Sequence, residues 1–354
     1  MWEERAHRAR REILALAADG YGLGELYQNA IAVVERAVGA ELSCWAALDP
    51  DTLTISAMVS GEARIPGQYE PLLADAECAP TEPHTFARLA RSGRAVARLS
   101  ELSARERDES LRAREVWRPL GLDREVRTMF AVDGAYWGAA GMVRSGRDFT
   151  EREVDFLAAV APAVASASRL AARREASLPD AGAAPAIVVL GDAGELRTAT
   201  PTVREWRERF DDIAPGRFAL LLRLMWAGAR VSPEHGFRTR VRDGRARWAT
   251  VEASRLIGDD EDEDAVAVLI SSAPPDDLMD LVFVAYDLSP RECEVCREVI
   301  LGRSTAEIGH DLFISPYTVQ DHLKSVFGKV GVHSRGELVE RLRPAAPGAL
   351  RTRP

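Results

Sequence analysis

The sequence predicts a multidomain chain: two α+β domains in succession, then a small all-α domain of four short helices. Three observations predict it. At 354 residues the chain exceeds one ordinary domain and calls for two or three. Between residues 23 and 273, hairpin signals alternate with stretches of helical periodicity. From Leu288 to Leu342, helix-start signals crowd together.

Residues 1–22 read as a charged helix or ordered tail. In LGELYQNAIAVVERAV, from Leu23, the residues Leu26, Ala30, Val33, Val34 and Ala37 fall on one helical face. ELSCWAALDPDTLTISAMVSG then reads as two strands about an Asp49-Pro50-Asp51 turn. Residues 82–120 are mixed, with helical pieces at 85–92 and 104–117. REVRTMFAVDGAYWGAAGMVR is a hairpin about Asp133-Gly134, the strongest short turn signal in the chain. Thr150 with Glu153 caps a long Ala-rich helix reaching Ala176. Its Leu157, Val160, Val164 and Ala171 form a stripe too long for one small domain to bury, which points to a dimerisation helix kinked at Pro162.

SLPDAGAAP, residues 177–185, is a linker rich in small residues, Pro and Gly. Across 186–273 follow a hairpin about 192–194, helices at 201–210 and 217–229, and strands in FRTRVRD, RARWATVEASRLIG and AVAVLISSA. A helix at 276–286, apolar at Leu278, Leu281 and Val282, occupies the connecting segment 274–287. The sequence shows no internal repeat and no extended low-complexity segment.

The last domain, 288–343, is written in capping chemistry. Ser289 with Glu292, Ser304 with Glu307, and Ser334 with Glu337 each fit a capping box, and Ser315-Pro316 is a cap followed by proline at the first helical position. Helices are expected near 290–301, 305–312, 316–330 and 335–342, sharing a core through Val295, Val299, Ile300, Ile308, Leu312, Val319, Leu323 and Val326. Only Phe313-Ile314-Ser315 separates the second helix from the third, so the two must cross steeply, as in a helix-turn-helix with 316–330 as its recognition helix. A flexible tail is expected at 344–354.

In LSPRE, AEIGHDLFISPYTVQDHL and KVGVHSRGEL this stretch resembles the LuxR-type DNA-binding domain. The resemblance implies a sequence-specific transcriptional regulator whose partner is double-stranded promoter DNA. On the recognition helix, Val319, Leu323 and Val326 face inward, and Tyr317, Gln320, Asp321, Lys324 and Ser325 face out. By resemblance, Gln320, Asp321 and Lys324 occupy base-reading positions. Thr318, Lys329 and Arg335 match backbone-contacting ones, and His322 packs or touches phosphate. Asp321 sits least easily beside DNA: it either discriminates against wrong sequences while accepting from a cytosine, or pairs with Lys324 and orients it. Residues 23–176 are similar to GAF domains, best in the hairpin and the long helix after it, and 186–273 to PAS-type domains in element order. Both likenesses imply a sensor for a small-molecule or protein effector. Trp45, Met58, Phe130, Trp137 and Met142 alternate along candidate strands and are either core or the lining of a ligand pocket. Hairpins where a doubly wound receiver would have parallel strands disfavour control by phosphorylation.

The net charge of −9 looks adverse to nucleic acid. It is unevenly placed: residues 285–354 carry 10 Lys+Arg and 9 Asp+Glu, leaving 36 against 46 in the remainder. A nearly neutral reader binds weakly as a monomer, so a homodimer is expected. Hydrophobic residues at 46% and charged ones at 29% give a soluble globular balance. No apolar run approaching ~18 residues and no apolar N-terminal core were found, which points to the cytoplasm and away from a membrane. Four scattered cysteines exclude a disulfide framework and fit a reducing cytosol. Cys293-x-x-Cys296 lacks a second ligand pair and reads as helix packing rather than a zinc or redox site. GDDEDEDA at 258–265 lacks calcium-loop spacing and reads as a solvated turn. No cofactor, metal site or catalytic constellation is expected. Two rival readings remain: a thiol enzyme using Cys44 or Cys78, which lack a sequence-paired base, and a signalling scaffold that keeps the fold without binding DNA.

Overall fold

In the computed structural model, residues 2–177, 182–212, 216–231, 236–257 and 265–342 are described. The acidic run at 258–264 and the tail at 344–354 lie outside the described residues, as does part of the linker. The chain divides into two compact units, residues 1–171 with 183–272, and residues 172–182 with 273–354.

The first unit opens with α1 (Trp2–Asp19) and α2 (Leu23–Val38). Strands β1 (Leu42–Leu48) and β2 (Ile55–Ser60) follow, then α3 (Glu70–Cys78), α4 (Phe86–Ser92), β3 (Val96–Arg98) and α5 (Ala104–Glu109). Next come β4 (Arg124–Val132), β5 (Ala135–Arg144) and α6 (Glu151–Ala176), whose last residues belong to the second unit. The strands pair antiparallel in the order β2-β1-β5-β4-β3. Asp133 and Gly134 both take positive φ, 49° and 78°, the twist that a two-residue hairpin turn demands. Thr150 and Glu153 close the expected box at the start of α6, with the Thr150 amide 2.7 Å from the Glu153 carboxylate.

One face of this sheet packs on α2 and α6. Tyr27, Trp45 and Phe130 meet edge-on or tilted there, with Trp45 and Phe130 ring centres 4.8 Å apart. The α6 stripe expected to face another subunit is instead buried in this core: Leu157, Val160, Val164 and Ala171 are all buried. The reason is α1, whose Ala6, Ala9 and Ile13 join the same core and whose Trp2 meets Phe156 edge-on. Pro162 lies on the exposed side and the helix continues through it. By length and composition α6 is apolar enough to cross a membrane, contrary to the expectation of no such run; 50% of that window is buried in the fold, as in a core helix.

The helix expected over 104–117 is broken. Its first part ends at Ser110, whose buried hydroxyl donates to Glu82 at 2.7 Å while Glu82 also accepts from the Leu111 amide at 2.8 Å. The chain restarts as a π-helical turn, Ala113–Trp117. Neither α3 nor the short β3 was expected.

The remainder of the first unit contains β6 (Ala186–Leu190), β7 (Leu196–Ala199), α7 (Val203–Asp211), α8 (Arg217–Val231), β8 (Phe237–Arg242), β9 (Trp248–Leu256) and β10 (Ala265–Ser272). Its sheet runs β7-β6-β10-β9-β8, the same relative order as the first. Trp206, Phe210 and Phe218 stack beneath it. The two sheets are joined by charge: Arg240 of β8 meets Asp49 through Nε and Nη2, each at 2.9 Å, and also reaches Asp51. Both Arg240 and Asp49 are buried. Burial opposes the Asp49 charge, but its bonds to Arg240 hold the carboxyl below its ordinary range. A second joint pairs Arg223 of α8 with Asp75 of α3.

Candidate nucleic-acid interface and an internal cavity

The second unit continues with α9 (Pro275–Ala285), α10 (Pro290–Ile300), α11 (Thr305–Asp311), α12 (Pro316–Val330) and α13 (Arg335–Leu342). On α9, Leu281 and Val282 are buried as expected, whereas Leu278 is half-buried. The boxes at Ser289 and Ser304 close in both directions. The third differs: Ser334 accepts from the Glu337 amide at 3.2 Å, but Glu337 reaches the His333 amide, one residue earlier.

Between α11 and α12 the chain turns through Phe313 at φ 56°. The crossing is tight because Gly309 has no side chain; a Cβ there would stand 2.8 Å from the Ile314 carbonyl oxygen. Val319, Leu323 and Val326 are buried against the other helices. Gln320, Asp321 and Lys324 are exposed on the opposite side, and none forms a hydrogen bond or ion pair among the described residues. The Asp321–Lys324 pair, one of the two alternatives for Asp321, is not formed among the described residues.

The remaining expected contact residues are engaged internally. Thr318 shares a 2.8 Å hydrogen bond with the Ser315 cap, and Arg335 donates to the Arg303 carbonyl. Lys329 donates to Glu292 at 2.8 Å and to the Asp287 carbonyl at 2.7 Å. Ser325, exposed as expected, donates to the other Glu292 oxygen at 2.6 Å. Glu292 is 4% exposed. Burial alone would raise its carboxyl, yet Lys329, Ser325 and the Ser289 cap hold it down to about 2. The capping pattern identified Glu292 as a cap; its second task depends on residues 33 and 37 positions away, which no local pattern reveals. Cys296 is fully buried, and burial pushes the Cys293 and Cys296 thiols up to about 11 and 12.

In the first unit the free face of the first sheet borders a cavity of about 130 Å³. Of the five candidate lining residues only Met58 faces it. Trp45, Phe130 and Met142 lie in the core with α2 and α6, and Trp137 is buried away from the cavity. Strand alternation accounts for this: β1 turns Cys44 and Ala46 toward the cavity, and β5 turns Gly141 and Val143. Leu220 and Leu224 of α8 complete the wall. Ion pairs stiffen it, Arg112 with Glu125 at 2.9 Å and Glu82 at 3.0 Å, and Arg127 with Glu77 at 2.7 Å.

Four capped helices with a three-residue break before an outward-facing third helix define a helix-turn-helix domain. The family of bacterial regulatory proteins named luxR matches residues 287–342. The spore germination protein GerE of Bacillus subtilis is 38% identical over 55 residues, 16% of this chain and 74% of that protein. The chain belongs to the luxR family of bacterial regulatory proteins. A putative HTH-type transcriptional regulator of Mycobacterium tuberculosis is 47% identical over 53 residues; these are 15% of this chain and 6% of that relative's length. Looser likenesses extend further: Escherichia coli SdiA at 13% identity covers 94% of both chains with a TM-score of 0.34. A Vibrio cholerae VqmA–ligand–DNA complex at 15% identity covers 46% of this chain and 85% of its own, with a TM-score of 0.24.

Proposed function

We propose that this chain is a sequence-specific DNA-binding transcriptional regulator that acts as a homodimer and sets α12 in the major groove of promoter DNA. The observation that carries the reading is the outer face of α12, where Gln320, Asp321 and Lys324 stand exposed without partners among the described residues. An amide, a carboxylate and an ammonium side by side can pair with adenine, cytosine and guanine edges respectively. Thr318 and Arg335 at the ends of this face hold the backbone. Lys329, one-third exposed and anchored on Glu292, offers phosphate only what the fold leaves of its charge. The near neutrality of 285–354 favours two readers acting together.

Control belongs to residues 23–176, read as GAF-like, and 186–273, read as PAS-like, with 288–343 as the reader. The repetition of one sheet order in both halves supports two versions of a single sensor architecture. The cavity beside the first sheet supports a small effector. Selection from random duplex DNA with the full chain tests the reading. A recurrent motif should emerge and should change with Gln320→Ala; failure to enrich any sequence refutes it.

A further inference from the structure

One buried cation in the first unit lacks a hydrogen-bond acceptor among the described residues. Arg217 begins α8, is 7% exposed, and makes no hydrogen bond or ion pair among the described residues; its Nη1 is fully enclosed. It lines a narrow cleft with Ile55, Leu220 and Leu224, three residues that also line the cavity. The titratable groups nearest it in effect are the Glu70 carboxylate and the Cys44 thiol, which burial keeps protonated, and both line the cavity. Burial outweighs them and pulls the guanidinium down to about 10.

Arg127 also has a donor to spare. It gives Nη1 to the His84 carbonyl and Nη2 to Glu77, while its Nε is buried without a partner. Arg127 lines the cavity, and with Arg217 it is one of two cations acting on Cys44. The deeper carboxylates are already committed, Glu77 to Arg127 and Glu125 to Arg112. Glu70 is half-buried and forms no hydrogen bond or ion pair among the described residues. A buried guanidinium without an acceptor, one cleft away from the cavity, is costly, and a bound anion offsets that cost.

We propose that this cavity binds a small carboxylic acid with an apolar body, its carboxylate received beside Cys44 by Arg217 and the Arg127 Nε. The planar guanidinium is the side chain best matched to a carboxylate. Met58, Phe86 and Trp117 supply the apolar surround. An engineered cavity of about 150 Å³ holds benzene, so this one, at about 130 Å³, suits one ring or a six-carbon chain. The proposal rests on the sensor reading and gives its effector a chemical class.

Thermal unfolding of the full chain with benzoate and hexanoate, against benzamide and hexanamide, tests it without DNA. The two acids should raise the melting temperature with concentration and the amides should not. Arg217→Met should unfold at a higher temperature than the unaltered chain when no acid is present, because a buried charge is gone, and should need at least tenfold more acid for the same shift. Glu70→Gln should need several-fold less. Equal shifts with acids and amides, no shift with either acid, or an undiminished response in Arg217→Met would overturn the proposal. Because no DNA is present, such a failure leaves the DNA-binding reading standing, and a failed DNA selection leaves this result intact.

Discussion

Replacing Glu292 by glutamine keeps its size and one acceptor but removes the charge that Lys329 and Ser325 converge on. The folded carboxyl lies at about 2 against an ordinary 4.5, a difference equivalent to ~3 kcal/mol. Lys329 is 33% exposed, so solvent screening reduces the charge pairing and leaves about 2 kcal/mol. Hydrogen exchange of the full chain, read on peptides from α10 and α12, isolates this unit from the rest. Near neutral pH the Glu292→Gln variant should exchange there ~30-fold faster, at tenfold per 1.4 kcal/mol. The acid dependence has a definite sign. A carboxyl depressed by folding stabilises above its unfolded value, so the contribution is complete above about pH 4.5 and disappears as pH falls toward 2. The advantage of the unaltered chain over the variant should shrink across that window. Equal exchange rates at neutral pH, or an advantage that persists unchanged to pH 2, would refute the account of Glu292 as the anchor of α12.

Other substitutions probe separate joints. Gly309→Ala brings a Cβ to 2.8 Å from the Ile314 carbonyl and should destabilise the helix-turn-helix by about 1–3 kcal/mol, read as faster exchange in α11 and α12. Lys324→Ala should lose about 1–3 kcal/mol of DNA affinity at one base position, whereas Arg335→Ala should weaken all sequences alike and lower the salt slope by about one. Asp321→Ala should strengthen non-specific binding and relax preference at a single cytosine; unchanged affinities for both DNA classes would place it off the interface. Asp49→Asn leaves Arg240 buried beside a neutral partner and should cost about 3–5 kcal/mol in unfolding of the first unit by urea.

How far the sequence could be read followed the range of the interactions involved. The starts of α10, α11 and α12 were legible because a cap, its glutamate and the following proline lie within four residues. The inward face of α12 was equally local, set by spacings of three and four. The bonds of Ser325 and Lys329 to Glu292 were not legible, because their partner is on another helix. The α6 stripe misled because α1 covers it from more than 140 residues earlier in the chain, and aliphatic periodicity does not identify its partner. Alternation along the strands left Trp45, Met58, Phe130, Trp137 and Met142 as either core or pocket lining, because period two does not say which face meets the cavity. On β1 and β5 the residues that meet the cavity include the small ones Cys44, Ala46 and Gly141, and the larger lining residues Phe86 and Trp117 come from elsewhere in the chain.

The placement of Leu220 and Leu224 on the cavity wall has a practical consequence for exchanging parts between regulators. A chimera cut at the 177–185 linker looks natural in sequence, yet it would transplant the first sheet without a side of its own chamber. It would also strip Asp49 of Arg240 and Asp75 of Arg223. Grafts that retain residues 2–272 together keep the chamber closed, and cuts nearer Ala273 divide the chain where the two compact units already part.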